Sequence, residues 1–345
     1  MAGPVPNLCH GHADGVKDAV ARARALAEEL LFPSAAAVDA AGVVPADHLD
    51  ALATAGLYGL TGPPDAGGLA ADPATVAAVI EELAAGDLAT TFIWLQHLGV
   101  VGALADGSPQ LRVEFLADLC AGRRRGGVAL QAALRRGPAA VRVRGEGDDL
   151  VLDGAVPWVT GWGRVDLLLV AARDEADDVV FVLVDAAPAP TLTAVPQRMV
   201  AVTASATVEL RLDGHRAPVG RLVRRVPLAQ IRAGDAAGLR PNGSLALGLT
   251  ARCARLLGPS PLDDDLARVR ARLDAATPVE LPAARAAASA LAHRAAGLLV
   301  AVTGSSAVLA GAHAERLARE ALFLLVFGSR PAIKAALVTD LGGGA

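Results

Sequence analysis

Val151-Leu152-Asp153-Gly154-Ala155-Val156-Pro157-Trp158-Val159-Thr160-Gly161, continued by Val165-Asp166 and Leu169-Val170-Ala171-Ala172-Arg173, is the stretch whose reading decides the fold. Short blocks of Val and Leu divided by Gly and Asp have the texture of strands and turns, not the three-and-four spacing of a helix. The same texture extends on both sides. Val141 to Arg144, Leu150 to Val156, Val165 to Ala172, Val179 to Val184 and Thr207 to Leu212 read as strands. Gly145-Glu146-Gly147-Asp148-Asp149 and Asp174 to Asp178 supply turns between them. A β-domain of mainly antiparallel strands is expected over residues 123–226.

Outside that domain the period changes. Val16, Ala19, Val20, Ala23, Leu26, Leu30 and Leu31 recur at helical spacing after Asp14, and Phe32-Pro33-Ser34 reads as the end of that helix. A second helix is expected from Pro45-Ala46-Asp47 toward Gly56, and a third after Asp72-Pro73 with Val76, Val79, Ile80, Leu83 and Ala84 on one face. Past Pro227, Ala, Arg and Leu return at helical spacing. Pro259-Ser260-Pro261-Leu262-Asp263-Asp264-Asp265 there reads as a helix start with negative charge on the dipole's positive end.

Composition removes several classes of function. With 345 residues the chain has room for two or three domains. Its 32 basic and 36 acidic side chains leave a net charge of −4, and no basic block interleaved with aromatics is present to track a nucleic acid. Cys9, Cys120 and Cys253 stand apart with no CxxC, which argues against a disulfide framework or zinc knuckle and fits a reducing cytosol. Two charge-free stretches, Leu88 to Ala105 and Ala295 to Ala314, invite a membrane reading. The first carries Thr90, Thr91, Gln96 and His97, and the second is rich in Ala and Gly and broken by Gly304-Ser305-Ser306, so both are expected to be buried helices. No signal sequence is read in Met1 to Gly15, and a cytoplasmic location is expected. Cys9, His10 and His12 read as exposed terminal residues rather than a metal clip, so no metal site is expected.

Helix, sheet, helix in this order resembles the acyl-CoA dehydrogenase family, and local strings carry the resemblance further. Leu57 to Leu69 looks like that family's turn between early helices, and Glu81-Glu82-Leu83-Ala84 with Asp87 follows as it does there. The quoted stretch around Trp158-Val159-Thr160 resembles the family's strand-turn-strand. Ala314-Glu315-Arg316-Leu317-Ala318-Arg319-Glu320-Ala321 and Val326 to Ile333 resemble its last helix and catalytic loop. The expected fold is α+β: an N-terminal helical domain (1–122), the central β-domain (123–226) and a C-terminal helical bundle (227–345).

What the resemblance implies is a flavin-dependent oxidoreductase acting on an acyl thioester or a related substrate, with FAD as cofactor and a homodimer or homotetramer as the assembly. A flavin ring is a flat amphipathic plate that needs an aromatic wall and a few fixed donors. By the resemblance, Trp158 is the wall, Thr160 donates toward the ring with the peptide around Val159 and Gly161 lying near it, and Leu130 and Gln131 stand where the family has a further flavin-edge loop. Arg135 and Arg136 close by could meet a phosphate.

The chain departs from the family where the catalytic glutamate usually stands: it has Phe327-Gly328, with Gly328 at the glutamate position. The alternative position on an earlier helix falls at Gly238 to Asn242 and also lacks a carboxylate. His97, Asp235 and Glu320 are the remaining candidates for acid–base work; His293 and His313 read as packing or surface groups. The Arg-x-x-Phe-Gly segment toward the adenine half becomes Arg255-Leu256-Leu257-Gly258, and a Gln-x-x-Gly-Gly element becomes Ala301-Val302-Thr303-Gly304-Ser305. These departures keep two other readings open: a catalytically degenerate subunit in a hetero-oligomer with a related dehydrogenase chain, and a flavin monooxygenase of the same fold. Neither Gly-x-Ser-x-Gly nor a Walker loop occurs.

Overall fold

The computed structural model describes residues 18–134, 137–234 and 238–343. Its first helix does not stop at Phe32-Pro33-Ser34. A single π-helical turn, Ala27–Leu31, carries it on into α1 (Phe32–Ala41). Pro33 explains the wide turn, because its ring has no N–H and would clash with the carbonyl a regular turn behind. Gly42, at φ +65, then ends the helix.

α2 (Ala46–Thr54) and α3 (Pro73–Gly86) follow, the latter capped by Asp72, whose carboxylate accepts from the N–H groups of Ala74 and Thr75. α4 (Leu88–Ala105) begins at Asp87, which accepts from the Thr90 N–H at 2.8 Å and its hydroxyl at 2.6 Å. Its apolar window is 72% buried, so α4 is a core helix.

The sheet comprises β1 (Gly126–Ala129), β2 (Val141–Glu146), β3 (Asp149–Val159), β4 (Leu167–Arg173), β5 (Val179–Asp185), β6 (Leu192–Pro196), β7 (Val208–Pro218) and β8 (Leu222–Val226). Its order is β6-β7-β3-β2-β4-β5-β8, with β1 added parallel to β4. The pairs β2–β3, β3–β7, β4–β5, β5–β8 and β6–β7 are antiparallel. β4 is buried along its whole length, which explains its unbroken apolar run.

α5 (Leu239–Leu257), α6 (Leu262–Ala275), α7 (Leu281–Thr303), α8 (His313–Val326) and α9 (Pro331–Leu341) complete the bundle. α5 crosses α3 closely at Gly248, where a Cβ would come 2.8 Å from Ala84 Cβ and 3.0 Å from the Ala85 amide nitrogen. The expectation that the second charge-free stretch is buried does not hold. The apolar window over Leu281–Val308 is only 44% buried, and Leu298, Val302, Val308 and Leu309 face outward.

Candidate functional site

β3 and β7 lose register between Val156 and Val159, and the bulge falls on Pro157-Trp158. Trp158 sits there at φ +63, a conformation that costs an L-residue about 1–2 kcal/mol. The result is an indole lifted out of the sheet and 53% exposed, while Val159 beside it is fully buried. A bulge that re-aims one side chain is a recurrent device beside functional sites.

The chain then turns through Thr160 and Gly161 and is tied to the loop before β7. Gly161 N–H donates to the Ser205 carbonyl at 2.9 Å and Trp162 N–H to the Ala206 carbonyl at 3.1 Å. That loop is strained too: Val202 at φ +47 and Ala206 at φ +49 bracket the turn Thr203–Ser205. A β-branched residue in this region is a genuine outlier. Thr160, Thr207 and Ser205 form a buried line of hydroxyls, 3.3 Å from Thr160 Oγ1 to Thr207 Oγ1 and 2.8 Å from there to Ser205 Oγ. Three hydroxyl protons serve two contacts, so one O–H of this buried line is left over as a donor.

α4 closes the other side. A Cβ on Gly161, itself at φ +86, would come 3.3 Å from Ile93 Cγ2. Phe92, the preceding residue, packs against Phe323 of α8 and against Phe327 just beyond it. At Gly328, φ +61, the missing Cβ would lie 3.6 Å from Asn242 Nδ2. The loop at Gly328 and the first turn of α5, the two positions at which the resemblance implies a base, therefore meet in space, and neither brings a carboxylate.

His97, one turn along α4, is buried and accepts from the Gly126 N–H through Nδ1 at 2.9 Å. Burial pushes its pKa down to about 3. Tyr58 packs edge-on at 4.6 Å between ring centres. The imidazole fastens α4 to β1 through Nδ1, and its buried Nε2 has no hydrogen-bond partner among the described residues. Gly127, the next residue of β1, backs the Thr160 carbonyl, at 3.4 Å from where its Cβ would stand.

Glu320 lies on α8, also buried, and accepts from Arg316 Nη1 at 2.6 Å. Burial raises its pKa to about 7 against the opposing pull of Arg316. Asp235 and the pair Arg135 and Arg136 lie outside the described residues, as do Cys9, His10 and His12. Leu130 is partly buried against the outer core and Gln131 is exposed at the start of a short helical turn. Arg255 is committed elsewhere, donating to Glu28 at 2.7 Å and to Glu82 at 2.9 Å. Among the described residues no three His, Cys, Asp or Glu side chains converge as metal ligands do. Sequence reading missed Ser205, Thr207, Ile93 and Phe92. The run Thr203-Ala204-Ser205-Ala206-Thr207, small and hydroxyl-rich between two strands, was the one available signal.

Comparison with known proteins agrees with this architecture. The family model described as acyl-CoA dehydrogenase, N-terminal domain, matches residues 16–123. A probable acyl-CoA dehydrogenase of Mycobacterium leprae is 33% identical over 158 residues, covering 45% of this chain and 41% of that protein. A 3-sulfinopropanoyl-CoA desulfinase of Variovorax paradoxus is 26% identical over 250 residues, 67% of this chain and 62% of the relative. The chain thus spans about two fifths of the length of the mycobacterial relative it matches. Butyryl-CoA dehydrogenase from Megasphaera elsdenii superposes with a TM-score of 0.80 at 16% identity, over 99% of both chains. The chain has the acyl-CoA dehydrogenase fold, and residues 16–123 match the model of that family's N-terminal domain.

Proposed function

We propose that the chain is a flavin-dependent oxidoreductase of acyl-CoA dehydrogenase type, acting on an acyl thioester. The observation that carries this reading is Trp158: a bulge and a left-handed backbone hold its indole half exposed beside the turn at Gly161. The three proteins named above, each named for a CoA thioester, support the substrate class. None is named as a monooxygenase or a non-catalytic subunit, and neither of those readings is carried forward.

The residues at the turn fit the ring end of FAD. Trp158 offers the flat wall, and the spare proton of the Thr160–Thr207–Ser205 line offers a donor. Gly161 N–H is already used by Ser205, so the hydroxyl is the better candidate of the two. The adenine end fits less well, because Arg255 is held by two glutamates. A bound FAD would supply a hydride acceptor for the thioester's acyl chain. The protein's own part is to hold the ring, to exclude water with α4, Phe323 and Phe327, and to place the acyl group. His97 Nδ1 is engaged by the Gly126 N–H and Glu320 by Arg316, which argues against either as the base. Without a carboxylate at Gly328 or Asn242, removal of the α-proton becomes the slow step, by about 10² to 10⁴ relative to a site with a placed base.

The outward apolar residues Leu298, Val302, Val308 and Leu309 favour a homo-oligomer through this face. The buried free thiols of Cys120 and Cys253 favour a reducing, cytoplasmic setting. The test is optical. A purified protein that is yellow, or becomes so with FAD, and that bleaches with an acyl-CoA bears the reading out. A colourless preparation unchanged by added FAD overturns it.

A further inference from the structure

Past the Trp158 turn the chain runs through Trp162 and Arg164, two residues that holding a flavin ring leaves unused. Trp162 is half buried and borders an open crevice of about 370 Å³, lined also by Pro188, Pro190, Leu192 and Thr193. That volume suits a small ligand, and none of the lining side chains is charged. The proline loop is held in place: Ala189 and Leu192 exchange both backbone hydrogen bonds at 3.0 Å, and each proline ring fixes its own φ. A wall already ordered loses little freedom on binding. The Ala186 N–H donates to the Asp166 carbonyl at 2.8 Å, which ties this loop to the turn that carries Arg164.

Arg164 stands apart from the paired arginines of the chain. Its Nη1 donates to the carbonyl of neighbouring Gly163 at 3.3 Å, its Nε is buried with no hydrogen-bond partner, and it makes no ion pair among the described residues. A guanidinium N–H withdrawn from water and left unmatched is unfavourable until an anion meets the group. The guanidinium fork matches a phosphate, and an indole beside prolines matches the flat face of a purine.

We propose that this crevice binds an adenosine phosphate: the base lies against Trp162 and the proline wall, the Thr193 hydroxyl meets its polar edge, and Arg164 takes the phosphate. Two sources share that chemistry, a free nucleotide and the adenine end of FAD itself. The second gives FAD an anchor on the same turn as its ring, where Arg255 is held away by Glu28 and Glu82. That link to FAD rests on the reading of the Trp158 turn as the ring site.

The test is calorimetry with ADP and adenosine on flavin-free protein, alongside fluorescence quenching with FMN and FAD. ADP should bind, and Trp162→Ala should weaken it at least about tenfold, the loss of one stacking face. Arg164→Gln should weaken ADP by about tenfold and leave adenosine unchanged, because only the phosphate loses a partner. Wild type binding FAD more tightly than FMN, by a margin that Trp162→Ala removes, supports the crevice and assigns it to FAD's own adenine. FMN and FAD bound equally, with ADP still dependent on Trp162, supports it and assigns it to a free nucleotide. No ADP binding overturns the proposal, as does ADP affinity unchanged in Arg164→Gln or in a folded Trp162→Ala. Arg164→Gln decides the matter if the alanine variant does not fold. ADP binding that both variants weaken, in a protein that takes up no FMN, supports the crevice and removes the flavin-ring reading instead.

Discussion

Arg319 of α8 grips Asp39 of α1 with both ends of its guanidinium, across 280 positions of sequence, Nη1 to Oδ1 at 3.2 Å and Nη2 to Oδ2. The same Nη1 reaches the Val200 carbonyl at 3.2 Å, and Nε donates to Glu315 at 2.7 Å. The Thr203 hydroxyl donates to the Asp39 carbonyl at 3.3 Å. One arginine therefore fastens the first helical layer, the last helix bundle and the strained loop that backs the Thr160–Gly161 turn.

A lysine keeps the charge at this position and loses the fork. Arg319→Lys is expected to lower stability by about 1–3 kcal/mol, read from urea unfolding. The loop from Val202 to Ala206 loosens with it, so flavin affinity should fall in the same variant. A lysine variant as stable as wild type would show that the pair is a surface decoration.

Arg316 and Glu320 pose a different problem, since both are sealed on α8 and Glu320 titrates near 7. Its folded value lies above the ordinary 4.5, so the stability tied to this group is fully present below pH 4.5 and declines as pH rises through about 7. Arg316→Met removes the charge that limits this decline. The expected loss is about 3–5 kcal/mol, greater at pH 8 than at pH 5. An equal loss at both values would contradict the buried-pair account.

His97 gives the opposite slope. Its folded value of about 3 lies below the ordinary 6.5, so its contribution is intact above pH 6.5 and is lost as pH falls toward 3. The expected gradient is about 1.4 kcal/mol per pH unit within that window. His97→Leu should flatten the gradient and cost about 1–3 kcal/mol at pH 7, because the Gly126 N–H loses its acceptor. Unfolding curves at pH 7, 6 and 5 for both proteins check this.

The strands were legible because alternating and unbroken apolar runs carry a burial pattern directly: β4 is buried throughout and β2 alternates over its first residues. The continuation of the first helix through Pro33 was not, since a π turn answers the proline in a way that residue spacing does not display. The exposed half of α7 was missed for a related reason. An Ala/Leu-rich stretch looks the same whether its second face meets a neighbour in the chain or nothing within it. At the site, Trp158 was legible from its neighbours in sequence, whereas Asn242 facing Gly328 and Arg319 gripping Asp39 depend on how distant helices close together.

That meeting of Asn242 and Gly328 allows a base to be supplied. Asn242→Glu places a carboxylate on regular helix, whereas a side chain at Gly328 would be strained by its φ of +61. The glutamate variant should raise the maximal rate of acyl-CoA oxidation by at least about tenfold and weaken apparent substrate affinity. Steady-state rates against butyryl-CoA with an artificial electron acceptor measure both. An unchanged maximal rate would mean that α-proton removal is not what limits the site.

The most direct measurement is FAD binding by wild type, Trp158→Ala and Trp158→Gly, followed by quenching of flavin fluorescence alongside urea unfolding. Glycine relieves the left-handed backbone at this position, so Trp158→Gly should be about 1 kcal/mol more stable than Trp158→Ala. Both should bind FAD at least about tenfold more weakly than wild type, the loss expected when an aromatic wall is removed from a planar ligand. Wild-type protein that binds no FAD, or a glycine variant that binds it as tightly as wild type, would contradict the assignment of the Trp158 turn as the flavin site.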